Sequence, residues 1–368
     1  MISRIHLIRY RNYDDCVIDF DSGMNLLVGR NGQGKTNILE AVYYLSLLRS
    51  FRTANVNELR QWKSNFFTVS GVIPSEIGPS DELTVSYGVE RRMTVNGVPV
   101  YRASDFVFRF ICVTFIPEDL ELIQGAPLQR RRFLDIAISQ ISQEYLHNLQ
   151  GYVAALKSRN ALLKQPEKFD KLMVTAYDAL LARNGAAIEV ARLQFVKRLN
   201  GLLAQLSGRL LEDDRSLRLK YMFRLGNNLL QEHHLEQGEL ESAIREGLEK
   251  NYERDLQNGN TSVGPHRSDF TCMLGDVNMG NYASQGECRL ASLSVKLACL
   301  DIIREARGSN GITLLVDDVT GELDVHRKKR FFSVIEEAGQ VLFACTEVPQ
   351  GFSEKAKLFN INAGKVRV

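Results

Sequence analysis

Two short segments at opposite ends of the chain constrain its fold more than anything between them. Near the start the sequence reads Gly29-Arg30-Asn31-Gly32-Gln33-Gly34-Lys35-Thr36, and near the end Ile312-Thr313-Leu314-Leu315-Val316-Asp317-Asp318. The first follows an apolar run, Met24 to Val28, and opens a stretch with Ile38, Leu39, Val42, Leu45 and Leu48 at helical spacing. That strand–loop–helix context is the one a phosphate-binding loop needs. Its glycines let backbone N–H groups turn onto phosphate oxygens, Lys35 neutralises the β and γ phosphates, and Thr36 offers a hydroxyl to Mg²⁺. The second segment is a buried strand that ends in a carboxylate. Asp317 there would hold Mg²⁺ through water, and Asp318 would orient an attacking water. Read alone it is only a strand before an acidic turn, but beside a phosphate loop it completes a nucleotide site. The two ends must then meet, and the middle is an insertion.

Composition sets the bounds. The chain has 368 residues, 44% hydrophobic and 24% charged, enough for a large core divided among more than one domain. A formal net charge of +2 does not announce a nucleic-acid binder. The basic runs Arg130-Arg131-Arg132 and Arg327-Lys328-Lys329-Arg330 read first as solvated faces. Cys16, Cys112, Cys272, Cys288, Cys299 and Cys345 are scattered without CxxC spacing, which points to reduced, buried thiols and no zinc site. The start carries no secretory pattern and no apolar run reaches the about 20 residues that span a bilayer, so a cytoplasmic protein is expected.

Along the chain, strands are expected at Ile2–Ile8, Val17–Phe20, Met24–Val28, Phe66–Val72, Leu83–Val89, Arg92–Val95 and Val107–Phe115, with Asn96-Gly97 as a tight hairpin turn. From about Leu128 to Leu256 the pattern becomes helical. Phe133, Ile136, Ile141, Tyr145, Tyr152 and Leu156 form one stripe, and Leu172, Ala176, Leu180, Ala187, Ala191 and Phe195 another, with Pro166 between them. Leu217–Phe223 reads as a short strand and Leu240–Leu256 as a last helix. Strands return near Phe270–Leu274, Ile312–Val316 and Gln340–Ala344. No sustained heptads appear, which excludes a long coiled-coil arm.

Tyr282-Ala283-Ser284-Gln285-Gly286-Glu287 precedes a further helix. A hydroxyl, a glycine and a helix N-terminus form either an anion site or a plain helix cap. Since the first loop already supplies a phosphate cradle, an anion here would belong to the nucleotide of a second subunit.

These segments carry a resemblance. Asn31-Gly-Gln-Gly-Lys-Thr-Asn-Ile-Leu-Glu40 resembles the phosphate loop of the SMC/Rad50/RecF branch of ABC-type ATPases. Ser284-Gln-Gly-Glu287 resembles their signature motif and Gly321-Glu-Leu-Asp324 their D-loop. Tyr10-Arg-Asn-Tyr13, Arg49-Ser-Phe-Arg52-Thr53, the run Pro117 to Asp135 and Gly264-Pro-His266-Arg267 resemble the RecF family itself, in order and nearly end to end. The chain departs from that pattern at Gly321, where Ser is usual, and at Ser268, where Asp is usual. Asp318 stands where many ABC ATPases carry Glu, and Thr346 lies near the position of their switch His.

The resemblance implies an α/β fold: an ABC-type P-loop ATPase head with mixed sheets, split in sequence, with an inserted, largely helical lobe. The expected division is 1–125 for the first part of the head, 126–260 for the helical lobe, and 261–368 for the remainder of the head. It implies a weak ATPase using ATP and Mg²⁺, with Gly29 to Thr36 of one protomer facing Ser284 and Gly286 of another in a homodimer. It implies ATP-dependent binding of double-stranded, gapped or single-stranded DNA in recombinational repair and replication-fork maintenance. RecR, RecO and RecA are the implied partners. Arg52, Arg130 and Arg131 are candidate DNA or phosphate contacts, and Glu118 or Asp119 a candidate neighbour of the Mg²⁺. A P-loop kinase would leave the Ser284 and Gly321 segments unexplained. A recruitment scaffold with a decayed ATPase rests on Gly321 alone.

Overall fold

The structure is a computed structural model that describes residues 1–75, 78–165, 171–210, 215–225, 228–231, 236–308, 311–317, 328, 331–333, 335, 339–348 and 356–368. In chain order the first strands are β1 (Arg4–Tyr10), β2 (Tyr13–Asp19) and β3 (Met24–Val28), followed by helix α1 (Lys35–Leu47). Then come β4 (Phe67–Ile73), β5 (Asp81–Tyr87), β6 (Arg91–Val95), β7 (Val98–Val100), α2 (Ala103–Val107) and β8 (Ile111–Phe115). The insertion holds α3 (Glu121–Gln124), α4 (Pro127–Ile141), α5 (Gln143–Leu163), α6 (Lys171–Leu210), β9 (Leu217–Leu225) and β10 (Asn228–Gln231). It continues with α7 (Gln237–Lys250), α8 (Tyr252–Asn258), β11 (Asp269–Leu274), β12 (Val277–Asn278), α9 (Met279–Tyr282) and α10 (Gln285–Arg307). The chain closes with β13 (Ile312–Asp317), β14 (Gln340–Cys345), β15 (Lys357–Asn362) and β16 (Lys365–Arg367).

The chain divides into two compact units. Residues Met1–Glu118 with Ile303–Val368 form one, and Asp119–Ile302 the other. The first unit has two sheets. One is antiparallel in the order β2-β1-β4-β5-β6-β7, and the other runs β16-β15-β3-β14-β13-β8. In the second, β8, β13, β14, β3 and β15 are parallel, and only β16 is antiparallel. Strands buried on both faces read as continuous apolar runs, as in Leu314, Leu315 and Val316 and in Val341, Leu342 and Phe343, all fully buried. β4 instead alternates, with Phe67, Val69, Gly71 and Ile73 turned inward. Gly71 admits the close approach of α1: a Cβ there would strike Leu45 and Ile2. α1 contacts strands of both sheets, which is why almost its whole circumference is buried. The β6–β7 hairpin turns at Asn96 and Gly97, both with positive φ, as the Asn-Gly pair requires.

The second unit is helical with a small sheet, β10-β9-β11-β12. Its upper boundary differs from the expected one at 260. β11 pairs along its length with β9, and α9 packs on β11 and α3, so residues up to Ile302 belong with the insertion rather than with the head. Three elements also differ from expectation. The stretch Val107–Phe115 is strand only over Ile111–Phe115 because α2 ends at Val107. The last insertion helix is two, α7 and α8, divided at Asn251. On α6 the inward residues are Val174, Leu181, Ala182, Ala186, Ile188, Phe195, Val196 and Leu199, while Leu172 and Leu180 of the expected stripe are exposed. The inward face also carries Asp178, Glu189 and Arg192, all buried, so hydrophobicity alone misplaces it.

Candidate functional site

β3 ends at Val28 and α1 starts at Lys35, so residues 29–34 form the loop expected. Gly34 has φ 117° and Gly32 φ 79°, values that side chains with a Cβ adopt only under strain. A Cβ on Gly34 would also meet Asn12 and Tyr13, and one on Gly29 would run into the Ile361 carbonyl. Arg30, Asn31 and Gly32 form an exposed tip, whereas Lys35 is buried and its Nζ donates to the carbonyls of Gly29 at 2.6 Å and Arg30 at 3.0 Å.

β13 lies between β14 and β8 and brings Asp317 to the end of the parallel sheet. Thr36 Oγ1 donates to Asp317 Oδ1 at 3.1 Å, across 281 positions of sequence. The two ends of the chain therefore close one site. A hydroxyl and a carboxylate are hard oxygen donors of the kind Mg²⁺ takes alongside phosphate oxygens. Asp318, Gly321 and Asp324 lie outside the described residues. Thr346 follows β14 and is exposed.

Two sequence blocks upstream and downstream of the loop converge on α1. Arg11 grips the fully buried Glu40 with Nε at 2.8 Å and Nη2 at 2.7 Å. Ser50 Oγ donates to Glu40 Oε1 at 2.5 Å and accepts the backbone N–H of Arg52 and Thr53. Arg52, 42% exposed, lies 3.7 Å from Glu40 and donates to Asn37 Oδ1 at 2.9 Å. Asn37 in turn donates to Asn12, Asn12 donates to the Gln33 carbonyl, and the Tyr13 hydroxyl donates to the Gly34 carbonyl at 3.0 Å. Burial raises the Tyr13 hydroxyl well above its ordinary range, so it stays a donor. From the other side, the turn between β15 and β16 clasps the loop: Ala363 N–H donates to Gln33 Oε1 and Gly364 N–H to the Gln33 carbonyl. The sequence singles out Arg52 as a candidate phosphate contact but assigns no role to Arg11, Asn12, Glu40 or the terminal hairpin. The family-like blocks Tyr10–Tyr13 and Arg49–Thr53 are the signal available for them.

In the second unit, Ser284, Gln285 and Gly286 are exposed at the start of α10, and open space surrounds Gly286 where a Cβ would stand. Ser284 and Glu287 form a reciprocal cap. The Ser284 N–H and hydroxyl both donate to Glu287 Oε2 at 2.8 Å, and Glu287 N–H reaches back to Ser284 Oγ.

Several other residues singled out in the sequence make contacts within the fold. Arg130 is buried; it forks onto Asp269 at 2.7 and 2.9 Å and donates to the Gly125 carbonyl, so its guanidinium is engaged within the unit. Arg131 donates to the Ser268 carbonyl, and Asp135 is held by Arg192 and Tyr145. Asp119 pairs with Lys296 of α10 at 2.8 Å, while Glu118 is exposed. His266 is wedged between the Tyr152 hydroxyl at 2.6 Å and the Thr261 carbonyl at 2.9 Å, and burial lowers its pKa to about 4. Ser268 donates to buried Glu189, which Tyr221 also holds. No disulfide joins the cysteines, and all but Cys16 are buried.

A phosphate loop at the end of a parallel sheet and an acidic strand end bonded to its threonine define an ABC-type P-loop ATPase head. The family described as RecF/RecN/SMC N terminal domain matches residues 1–364. The DNA replication and repair protein RecF of Limosilactobacillus reuteri (strain DSM 20016) is 35% identical over 372 residues, covering 99% of this chain and 98% of that protein. The protein of the same name from Streptococcus agalactiae serotype V (strain ATCC BAA-611 / 2603 V/R) is 36% identical over 376 residues, covering 100% and 98%. The solved structure of the recombination mediator protein RecF with ATP in the RecFOR pathway superposes with a TM-score of 0.90 at 30% identity, covering 100% of this chain and 96% of that one. An SMC head bound to the C-winged helix domain of ScpA shares the fold at a TM-score of 0.56 and 15% identity. This chain belongs to the RecF family. Among the described residues no helix is long and apolar enough to cross a membrane.

Proposed function

We propose that the protein is an ATP-dependent DNA-binding protein of recombinational repair and replication, in which ATP closes two heads on DNA and slow hydrolysis releases it. The observation that carries the reading is the hydrogen bond between Thr36 and Asp317, which joins the phosphate loop to the acidic strand end. Lys35 and the backbone N–H groups of residues 29–36 would bind the ATP phosphates, and Thr36 and Asp317 would hold Mg²⁺. Bound there, the ion would neutralise charge on the phosphate oxygens. Asp318 is assigned to orienting water, and its short side chain fits a slow turnover.

Ser284 and Gly286 are exposed and would face the nucleotide of a second copy, giving an isologous dimer with two sites. Arg52, beside the first turn of α1, is the cation assigned to phosphate of nucleotide or DNA. RecA loading at gaps, with RecO and RecR as partners, is the proposed setting; the solved relative described as a recombination mediator in the RecFOR pathway supports the pathway. The direct test measures DNA binding with ATP, with ADP and without nucleotide, while molecular mass is read in each state. ATP should give both a doubled mass and retained DNA. Retention that is equal in all states would sink the reading.

A further inference from the structure

Trp62 is the only tryptophan of the chain, and it is 87% exposed. Tryptophan is highly buried on average, so an indole this exposed is uncommon. It stands on the short loop between Arg60 and β4, and that loop is built rather than slack. Ser64 N–H donates to the Gln61 carbonyl at 3.0 Å, and Ser64 Oγ bonds both the carbonyl and the N–H of Phe66. Gln61 N–H donates to the Arg9 carbonyl at 2.8 Å, which ties the loop to the end of β1. Two non-glycine residues in this small region, Arg9 with φ 50° and Lys63 with φ 68°, hold the left-handed backbone conformation, a strain that folded structure must maintain.

The side chains gathered there are aromatic and cationic. The Arg9 guanidinium lies 4.9 Å over the half-exposed Phe66 ring, and Arg60 lies 5.2 Å over Tyr87. Arg9 and Lys63 are exposed and make no ion pair among the described residues. The nearest acid in sequence, Glu58, belongs to the turn before Arg60 and accepts from Asn55. An exposed indole beside unneutralised cations matches a polyanion that also presents flat rings. An acidic peptide would use the cations and leave the indole without a stacking partner.

We propose that Trp62, with Arg9 and Lys63, forms a stacking subsite for an unpaired base of a DNA strand, the indole taking the base and the cations the flanking phosphates. Bases in a duplex are already stacked, so the subsite would favour single-stranded over double-stranded DNA. The inference rests on the DNA-binding reading above and adds to it a place.

The single tryptophan is its own reporter. With ATP and Mg²⁺ bound as the baseline, Trp62 fluorescence is followed while the full-length protein is titrated with oligothymidylate or with a blunt duplex of equal length. Binding of each is measured independently by anisotropy of a labelled strand. The expected result is quenching by the oligothymidylate and little change with the duplex. Trp62→Ala should weaken strand binding about tenfold or more and leave duplex binding unchanged, with Trp62→Phe retaining most of the affinity. Arg9→Ala should lower the salt dependence of strand binding by about one unit of slope. If the strand binds with Trp62 fluorescence unmoved and Trp62→Ala binds as tightly as the parent, the subsite is refuted while DNA binding stands. If no DNA is bound in any nucleotide state, both readings fall. If polyglutamate, but not the strand, moves the fluorescence, the surface recognises protein and the proposal is overturned.

Discussion

Arg11 and Glu40, which lie on different elements, meet in a two-pronged ion pair at 2.8 and 2.7 Å, with the carboxylate fully buried on α1. The pair fastens the β1–β2 turn to the helix that Lys35 begins. That same turn supplies Asn12 and Tyr13 to the phosphate loop, so its position sets the loop's underside. Arg11→Ala would leave a buried carboxylate with only Ser50 and the more distant Arg52. A loss of about 3 kcal/mol is expected, since removing one partner strands the other charge. Glu40→Gln, which removes the charge and keeps the shape, should cost less. Arg52→Ala, at a partly exposed site, should cost at most about 1 kcal/mol. Urea unfolding midpoints of the three variants test the order. Equal losses from Arg11→Ala and Arg52→Ala would show that Arg11 is not the anchor.

Thr36 and Asp317 are assigned to Mg²⁺ and Lys35 to phosphate, and the two roles separate by measurement. Thr36→Ala and Asp317→Asn should remove the part of ATP affinity that depends on Mg²⁺ while leaving binding in excess chelator nearly unchanged. Lys35→Ala should weaken ATP in both conditions, by about tenfold or more, because a charge-assisted contact is lost. Titration of a fluorescent ATP analogue with and without Mg²⁺ reads both. A Thr36→Ala protein that keeps its full Mg²⁺ response would remove that hydroxyl from the metal site.

At the start of α10, Ser284 caps the helix through Glu287 and remains exposed together with Gly286. Ser284→Arg introduces a bulky cation where the nucleotide of a second copy is expected. ATP should still bind the monomer with unchanged affinity, while the ATP-dependent increase in molecular mass disappears. Light scattering with ATP checks this. A full dimer from Ser284→Arg would refute the assignment of this helix start to the partner's nucleotide.

The strongest local rules were legible from sequence. Gly32 and Gly34 carry positive φ, Asn96-Gly97 makes a two-residue turn, and the fully apolar runs at Leu314–Val316 and Val341–Phe343 are doubly buried strands. The α6 face was misread because its inward side carries Asp178, Glu189 and Arg192, whose charges are matched by partners distant in sequence. Buried Arg159 illustrates the point: it joins Asp178 at 2.6 Å to Asp255 at 2.8 Å, residues on different helices. Such pairs have no periodicity to detect. The same holds for Arg130, which stands in a basic run yet is held by Asp269. The unit boundary near Ile302 depends on β9–β11 pairing, a long-range register that composition cannot announce.

His266 supplies a pH prediction. Its Nε2 lies 2.9 Å from the Thr261 carbonyl and must carry the proton, so Nδ1 accepts from the Tyr152 hydroxyl, and the ring fits as the neutral tautomer. Burial, together with the nearby cations Arg267, Arg131 and Arg192, lowers its pKa from 6.5 to about 4. The folded-state pKa lies below the unfolded one, so as pH falls below 6.5 the unfolded chain takes up a proton that the folded chain refuses. The stabilisation present above pH 6.5 is therefore lost progressively towards pH 4, to a limit of about 3 kcal/mol. Glu189 and Asp178, both raised by burial, act in the opposite sense above the ordinary carboxylate range. In the window between pH 6.5 and 5 the histidine's share is therefore the difference between the parent and His266→Gln. Thermal unfolding across it should show stability falling with acid, and His266→Gln should flatten that slope at some cost in stability at neutral pH. An unchanged slope in His266→Gln would assign the acid sensitivity to another group.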